Sequence, residues 1–225
     1  MTPAVKSKRK VKRIRDTLTG RKPRGQGHER LAEILNAAKE LFVAEGYEAV
    51  STRQLAEHAG LSQTGLYLYF KSKEEIHEAL CSQTFEQLTK RLQKVAQEAA
   101  GPEDMLRRAA QAYVNFGLEH PDEYQIAFMQ RQPVDPSKTG DLFHPSRHKG
   151  PGVRAFLAWR DLITSVMKGG FVKPMDVTTA TLMTWLPMHG LVAARIARPT
   201  FPWPPKHKLI ETLIDTILMG LQVRR

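Results

Sequence analysis

Uncharged hydrogen-bonding residues cluster in one short stretch of the sequence, between Ser62 and Phe70. They are Gln63, Thr64, Gly65, Tyr67 and Tyr69. Amide, hydroxyl and backbone groups of this kind can bond base edges and phosphates in nucleic acid. Leu66 and Phe70 lie four residues apart, which places them together on the other, apolar side of a helix. The pattern predicts an amphipathic helix whose polar side reads nucleic acid.

Capping signals place another short helix directly before this one. Ser51 and Gln54 have the spacing of a capping box, so a helix is predicted from Thr52 to Ala59. Gly60 is the residue type that ends a helix in the left-handed conformation. Ser62 is then placed to cap the next helix, so only a tight turn separates the pair. Two short helices joined in this way form a helix-turn-helix.

The second helix of the pair, capped by Ser62, is predicted over residues 63–70. Similar signals predict a helix on either side of the pair. Ser72 with Glu75 forms a further capping box that opens a long helix to about Ala99. A supporting helix precedes the pair, because apolar residues recur there at helical spacing. That stripe consists of Leu31, Ile34, Leu35, Ala38, Leu41 and Phe42.

The string T-x-x-x-L-A-x-x-A-G-L-S-x-x-x-L-Y-x-Y-F-x-S-K-E-E resembles the DNA-binding domain of the TetR family of transcriptional regulators. The resemblance covers about residues 29–80. It implies that Thr52 and Arg53 touch phosphate and base, that Gln63 and Thr64 read bases, and that Tyr67, Tyr69 and Lys73 grip the DNA backbone. Thr64-Gly65 departs from the family pattern, and Gly65 could let the backbone approach DNA closely. His58 is expected on the solvated side, without a ligand role.

The rest of the chain also reads as helical, with no convincing strand alternation. Helices are predicted at about 103–120, 121–131, 153–168, 176–197 with a kink at Pro187, and 206–221, separated by a polar loop at 133–152. The predicted fold is therefore all-α with about nine helices. It comprises an N-terminal three-helix helix-turn-helix DNA-binding domain at 28–80 and a C-terminal helical ligand-binding and dimerisation domain at 81–225.

Trp185, His189 and Gly190 resemble a C-terminal domain of many TetR relatives that is often labelled by those three residues. His189 could orient a ligand, although its place in that pattern favours a packing role. A cavity for a small apolar or aromatic effector is predicted from a set of large apolar residues, although for any one of them ordinary core is favoured. They are Phe116, Met129, Phe156, Trp159, Met167, Met183, Trp185 and Met188.

A homodimer is expected through about Asp176 to Leu221. The last two helices carry apolar residues on more than one face, so one face can cover the core while another meets a second copy. Dimerisation is also expected from DNA reading, because one recognition helix contacts few base pairs and a two-fold pair reads two half-sites.

Positive charge is concentrated in residues 1–27, which hold ten Lys or Arg and one Asp, whereas residues 28–80 carry a net charge of −4. The segment lacks apolar periodicity and is predicted to be a disordered basic arm. It could be a solubilising tail with non-specific DNA affinity or an auxiliary arm that follows phosphates or enters a minor groove. The stretch GRKPRG at 20–25 also resembles part of an AT-hook, but Gln26 and Gly27 stand where its Arg-Pro would be needed.

Several classes of protein are disfavoured. No nucleophile with its base, paired carboxylates or phosphate-binding loop indicates an enzyme or a cofactor. His144 and His148 lie beside Arg147 and Lys149, which would repel a metal ion, so no metal site is expected. The single cysteine, Cys81, and the lack of a long apolar run indicate a cytoplasmic protein without a membrane span.

The sequence therefore predicts a ligand-responsive transcriptional regulator that acts as a repressor. It is expected to bind a pseudo-palindromic double-stranded operator as a homodimer and to be released by a small-molecule effector. The alternative is an architectural DNA-binding protein in which the basic arm dominates and the remaining fold serves dimerisation.

Overall fold

The computed structural model describes residues 27–130 and 150–222, which form nine α-helices and one π-helical turn. The α-helices are α1 (Gly27–Glu45), α2 (Thr52–His58), α3 (Gln63–Tyr67), α4 (Lys73–Glu98), α5 (Pro102–Glu119), α6 (Pro121–Tyr124), α7 (Pro151–Lys168), α8 (Val177–Ala197) and α9 (Lys206–Leu221). Within these ranges the only β-type pairing is an isolated antiparallel bridge between Val172 and Gln222. The all-α prediction is confirmed.

The described residues divide into two compact units between Leu80 and Cys81. The predicted basic arm lies outside the described residues except for Gly27, the first residue of α1. Residues 133–149 of the predicted loop, with His144 and His148, also lie outside them, and the last residues of that prediction instead begin α7.

In the first unit, α1 supports the pair α2 and α3. The predicted stripe on α1 is buried at Ile34, Leu35, Ala38 and Phe42 and half-buried at its other members. Leu55 of α2 and Leu66 of α3 are buried as well, each 1% exposed. Burying one side chain of this size contributes about 1.5–3 kcal/mol. This core therefore fixes which side of α3 remains open.

The second unit is built around α5, which packs against α7, α8 and α9. Gly117 permits the close approach between α5 and α8, since a Cβ there would lie 2.5 Å from Cγ1 of Val192. The same Cβ would lie 2.9 Å from the ring of Tyr124. Tyr124 and Val192 are fully buried, so this contact lies inside the core.

Two stretches differ from the prediction of simple helices. The helix predicted at 121–131 is α-helical only over α6 and continues as a π-helix over Gln125–Met129, where the N–H of Gln130 donates to the carbonyl of Gln125. Such π-turns are frequent at functional sites. The helix predicted at 63–70 ends at Tyr67, because the N–H groups of Tyr69 and Phe70 both turn back to the carbonyl of Leu66.

Helix α8 runs through Pro187 without ending. Pro187 lies on the exposed side of the helix. Asp176 caps this helix, and its carboxylate accepts from the backbone N–H of Thr179 at 2.8 Å. That hydrogen bond is the largest of the effects that lower the pKa of Asp176 below its ordinary value.

Candidate functional site

Local hydrogen bonds fix the turn between α2 and α3. Ser51 and Gln54 form the predicted capping box at the start of α2. At its end, the N–H of Leu61 donates to the carbonyl of Ala56 and that of Gly60 to Glu57, which is the Schellman arrangement. Gly60 has the required positive φ of 65°. The angle between the two helices is therefore set by residues adjacent in sequence.

Ser62 and Gly65 fix the start of α3. The N–H of Gly65 donates to the Ser62 hydroxyl at 3.0 Å, as the capping prediction requires. A Cβ at position 65 would lie 3.2 Å from that same oxygen, which is tighter than an ordinary contact. Glycine thus has a local reason to follow Thr64, in addition to any approach of the backbone to DNA.

Three of the predicted DNA-contacting residues meet on the exposed side of α2 and α3. The amide of Gln63 donates to Oγ1 of Thr52 at 3.3 Å, and the same oxygen lies 3.5 Å from the hydroxyl of Tyr67. Thr52 begins α2 and Gln63 begins α3, so the starts of both helices share one polar cluster. Helix N-termini of this kind favour phosphate. We call Thr52, Gln63 and Tyr67 the reading cluster.

The neighbouring predicted residues are also exposed. Tyr67 and Tyr69 are 46% and 39% exposed, whereas Leu66 and Phe70 are buried, which confirms the predicted division of faces. Thr64 lies on the exposed side of α3. The side chain of Arg53 is 79% exposed and forms an ion pair with Glu57 at 2.9 Å. An exposed ion pair of this kind contributes at most about 1 kcal/mol, so a DNA phosphate can readily replace Glu57 as the partner of Arg53.

Lys73 has a structural role that the sequence did not indicate. Its ammonium donates to the backbone carbonyl of Tyr47 at 2.8 Å and lies 4.3 Å from the centre of the Tyr47 ring. The Tyr47 hydroxyl in turn donates to Glu74 at 3.0 Å. Burial, followed by the Glu74 carboxylate, raises the pKa of Tyr47. These contacts fasten the chain before α2 to the start of α4.

The hydrogen bonds of His58 and Ser72 bear on two further predictions. His58 is exposed as expected, and its Nε2 lies 2.8 Å from the carboxylate of Glu40 on α1, which lowers the pKa of Glu40. Ser72 accepts from the N–H of Glu75, but the Glu75 carboxylate bonds the N–H of Lys71 instead of completing the predicted box at Ser72.

An aromatic cavity of about 250 Å³ lies in the second unit. Six of its lining residues are aromatic, and the others are small or aliphatic. The lining consists of Phe85, Leu88, Leu92, Tyr113, Phe128, Gly152, Ala155, Phe156, Trp159 and Trp185. The π-helical turn after α6 carries Phe128, whose ring stacks on Tyr124 with centroids 4.5 Å apart. A cavity with these walls suits a compact apolar or aromatic molecule.

Three of the eight predicted effector residues line this cavity, namely Phe156, Trp159 and Trp185. The other five lie outside its lining. Phe116 and Met188 are fully buried core, and Met129 and Met167 pack half-buried against that core. Met183 is 50% exposed on α8. The sequence missed Tyr113, Phe128 and the cavity residues of α4, since no local pattern distinguishes them from core.

A chain of hydrogen bonds joins the cavity wall to His189. The indole N–H of Trp185 donates to the Tyr113 hydroxyl at 2.7 Å, which lies 2.8 Å from the Tyr124 hydroxyl. The Tyr124 hydroxyl lies 2.7 Å from Nδ1 of His189. His189 therefore packs inside its own unit, as the sequence favoured, and burial lowers its pKa. We call Trp185, Tyr113, Tyr124 and His189 the hydroxyl relay.

Within residues 27–130 and 150–222, no group of three or more His, Cys, Asp or Glu side chains could hold a metal ion. In the same ranges, no helix combines the length and apolar character needed to cross a membrane. Cys81 is a buried thiol.

Comparison with known proteins identifies the two units. The family model for bacterial regulatory proteins of the tetR family matches residues 34–80. A second model, for the tetracyclin repressor-like C-terminal domain, matches residues 106–217. The chain belongs to the TetR family. It is a DNA-binding transcriptional regulator, and its family is one of regulators instead of enzymes.

Curated relatives of this TetR-family regulator include an activator and a repressor. The transcriptional activator FasR of Mycolicibacterium smegmatis is 30% identical over 109 residues, which cover 48% of this chain and 49% of FasR. The transcriptional repressor KstR2 of Mycobacterium tuberculosis is 24% identical over 178 residues, covering 79% of this chain and 86% of KstR2. The chain thus spans about half the length of FasR.

Solved structures share the fold of this TetR-family regulator. The regulator FadR of Bacillus subtilis, in complex with stearoyl-CoA, has a TM-score of 0.69 at 18% identity and covers 85% of this chain and 99% of FadR. A TetR family transcription regulator from Marinobacter aquaeolei has a TM-score of 0.68 at 21% identity and covers 90% of this chain and 100% of that one. At these identities the likeness concerns the fold alone.

Proposed function

We propose that this protein is a ligand-responsive repressor that binds a pseudo-palindromic operator as a homodimer and is released by a small apolar or aromatic effector. The reading cluster is the observation that carries the proposal, because the starts of α2 and α3, at Thr52 and Gln63, meet there beside the Tyr67 hydroxyl. Among the relatives, the repressor KstR2 matches over most of its length, which supports repression.

Base reading is assigned to the start of α3. The Gln63 amide can bond adenine in two places, and its present partner Thr52 is a hydroxyl that can turn to a phosphate. Thr64 and the Gly65 backbone lie beside it, and Arg53 can pair with guanine or phosphate. Tyr67 and Tyr69, both exposed, are assigned to the DNA backbone through their hydroxyls.

Gln63→Ala tests base reading, with the exposed Gln93→Ala on α4 as a matched control. Purified variants select DNA fragments at physiological salt, and the recovered motifs are compared. Gln63→Ala is expected to relax preference at one position in each half-site, because a bidentate contact discriminates by about 1–3 kcal/mol. Gln93→Ala is expected to recover the same motif as the unmodified protein. An unchanged motif in Gln63→Ala would contradict the assignment.

Lys73→Ala separates the two roles of this lysine. A phosphate contact predicts weaker binding to every sequence and a salt slope lower by about 1. The contacts with Tyr47 predict a less stable first unit instead. Binding titrations at several salt concentrations, with an unfolding curve for the same variant, therefore decide between them. We expect the salt slope to fall.

The homodimer is assigned to the exposed faces of α8 and α9. Met183 and Leu186 on α8 are 50% and 45% exposed, and Met219 on α9 is 74% exposed. Pro187 and Gly190 continue the same side of α8 at helical spacing, and a Cβ at Gly190 would meet open space within one chain. An apolar face with a small residue at its centre suits close packing against a second copy.

Sedimentation tests this assignment. The double substitution of Met183 and Leu186 by Glu is expected to give monomers, because charged groups would be buried without partners. The exposed Leu68→Glu in the first unit is the control and is expected to remain dimeric. A dimer that survives the double substitution would place the interface elsewhere.

Effector binding is assigned to the aromatic cavity. An effector releases DNA only if it binds the DNA-incompetent state more tightly than the competent one. Ala155 lies in the cavity wall and is 6% exposed, so Ala155→Phe would fill the space. This variant is expected to bind operator normally and to lose its response to any effector of the unmodified protein.

The architectural alternative assigns DNA affinity to the basic arm. Deletion of residues 1–26 distinguishes it from the repressor, since a repressor keeps its sequence preference whereas an architectural binder loses nearly all affinity. A shared two-fold motif recovered by both forms supports the repressor.

A further inference from the structure

The cavity wall contains polar groups whose hydrogen bonds are already committed within the protein. The Trp159 indole N–H donates to Thr184 at 3.0 Å, and the Trp185 indole N–H donates to Tyr113. An indole nitrogen can only donate, so neither tryptophan offers a second bond to a ligand. Tyr113 differs, because its hydroxyl both accepts and donates. Of the hydroxyl relay, Tyr113 and Trp185 line the cavity, whereas Tyr124 and His189 do not.

Proton positions in the relay are coupled. Trp185 must donate to Tyr113, so in a forward arrangement Tyr113 donates to Tyr124, which donates to Nδ1 of a neutral His189. Every donor between Trp185 and Nδ1 of His189 then has an acceptor. In the reverse arrangement His189 carries its proton on Nδ1 and donates to Tyr124, which donates to Tyr113. The Tyr113 O–H is then left without a protein acceptor in the relay.

An empty cavity favours the forward arrangement. A buried hydroxyl without an acceptor is costly, and Tyr113 is 2% exposed beside apolar walls. Burial also lowers the pKa of His189, which keeps the ring neutral and lets Nδ1 accept. A ligand that presents an acceptor at Tyr113 supplies the missing partner, and the reverse arrangement then satisfies every donor.

We infer that the cavity takes a compact aromatic ligand bearing one hydrogen-bond acceptor, which accepts from the Tyr113 O–H while His189 stays neutral and exchanges its Nε2 proton for one on Nδ1. The inference rests on the proposed role of the cavity as the effector site. The volume sets the size of the ligand, since about 250 Å³ exceeds the roughly 150 Å³ that holds benzene. A bicyclic aromatic ketone meets both requirements.

The two tyrosines of the relay provide a matched pair of variants. Tyr113→Phe and Tyr124→Phe each remove one buried hydroxyl from the same chain, but only Tyr113 lines the cavity. Tyr113→Phe removes the donor to the ligand. Tyr124→Phe removes the competing acceptor and leaves the Tyr113 O–H available. Only Tyr113→Phe is therefore expected to lose the preference for a ligand with an acceptor.

The experiment compares 2-acetylnaphthalene with 2-ethylnaphthalene, which lacks the carbonyl, by calorimetric titration of the full chain. The unmodified protein is expected to bind the ketone about fivefold more tightly, roughly one neutral hydrogen bond. Tyr113→Phe is expected to bind the two probes equally, and Tyr124→Phe to keep or increase the preference. Equal binding by the unmodified protein, or equal loss of preference in both variants, would overturn the inference.

Two further readouts keep the outcomes distinct. Binding of neither probe, or binding unchanged by Ala155→Phe, would reject the cavity as the effector site and the inference with it. Nitrogen-15 NMR reports the tautomer of His189 in the unmodified protein. A His189→Gln sample is needed only to assign the signals. The ketone is expected to shift the His189 proton from Nε2 to Nδ1, whereas the hydrocarbon leaves it in place. An unchanged tautomer with bound ketone would overturn the relay.

Discussion

Gly117→Ala measures how closely α5 and α8 pack. Alanine is favoured over glycine within a helix by about 1 kcal/mol. The added Cβ, however, would lie 2.5 Å from Val192 Cγ1 and 2.9 Å from Cδ2 of Tyr124, whereas carbon atoms pack best at about 3.5–4.0 Å. Both neighbours are fully buried, and overpacking costs about 1–3 kcal/mol. Subtracting the helix gain leaves an expected net loss of up to about 2 kcal/mol.

A double-mutant cycle with Val192→Ala tests that reasoning. Val192→Ala alone removes two buried methyl groups and is expected to cost about 2 kcal/mol. In the double variant the lost methyl makes room for the new Cβ, so the two costs should be less than additive by about 1 kcal/mol. Urea unfolding at one fixed protein concentration gives all four values. Strict additivity, or a stabilised Gly117→Ala protein, would refute the packing account.

Three further substitutions have defined outcomes. Ser51→Ala should lower the free energy of unfolding by about 1 kcal/mol in urea titrations, whereas Ser51→Asp should retain the cap. The Asp176 cap is present above the ordinary aspartate pKa and lost as pH falls through its lowered folded-state pKa, so Asp176→Asn should flatten the acid decline of the thermal midpoint. Gly190→Ala should weaken the dimer in sedimentation; an unchanged dimer would contradict close packing there.

The first unit was largely predictable because its signals are local. The Ser51 capping box, the Ser62 cap and the left-handed Gly60 each involve bonds across three to five residues, so the sequence alone specifies them. The burial of Leu66 and Phe70 followed from their spacing. The contact between Lys73 and Tyr47 could not be predicted in this way, because the two residues lie 26 positions apart in the chain.

The cavity was only partly predictable because its residues meet across long separations. Selection by size and polarity chose Trp159 and Trp185, but it also chose fully buried core such as Met188. The family pattern contained Trp185 and His189 without the tyrosines that connect them. Those tyrosines lie 72 and 65 residues from their partners, and no periodicity in the sequence relates positions so distant.

The placement of the tryptophans gives the protein an internal optical reporter. The sequence has three, of which Trp159 and Trp185 line the cavity, while Trp203 packs against Phe201 in the segment before α9. A Trp203→Phe variant would therefore confine indole emission to the cavity wall. Unlabelled protein could then be screened against compound collections by fluorescence alone, with each change in emission arising where the effector is proposed to bind.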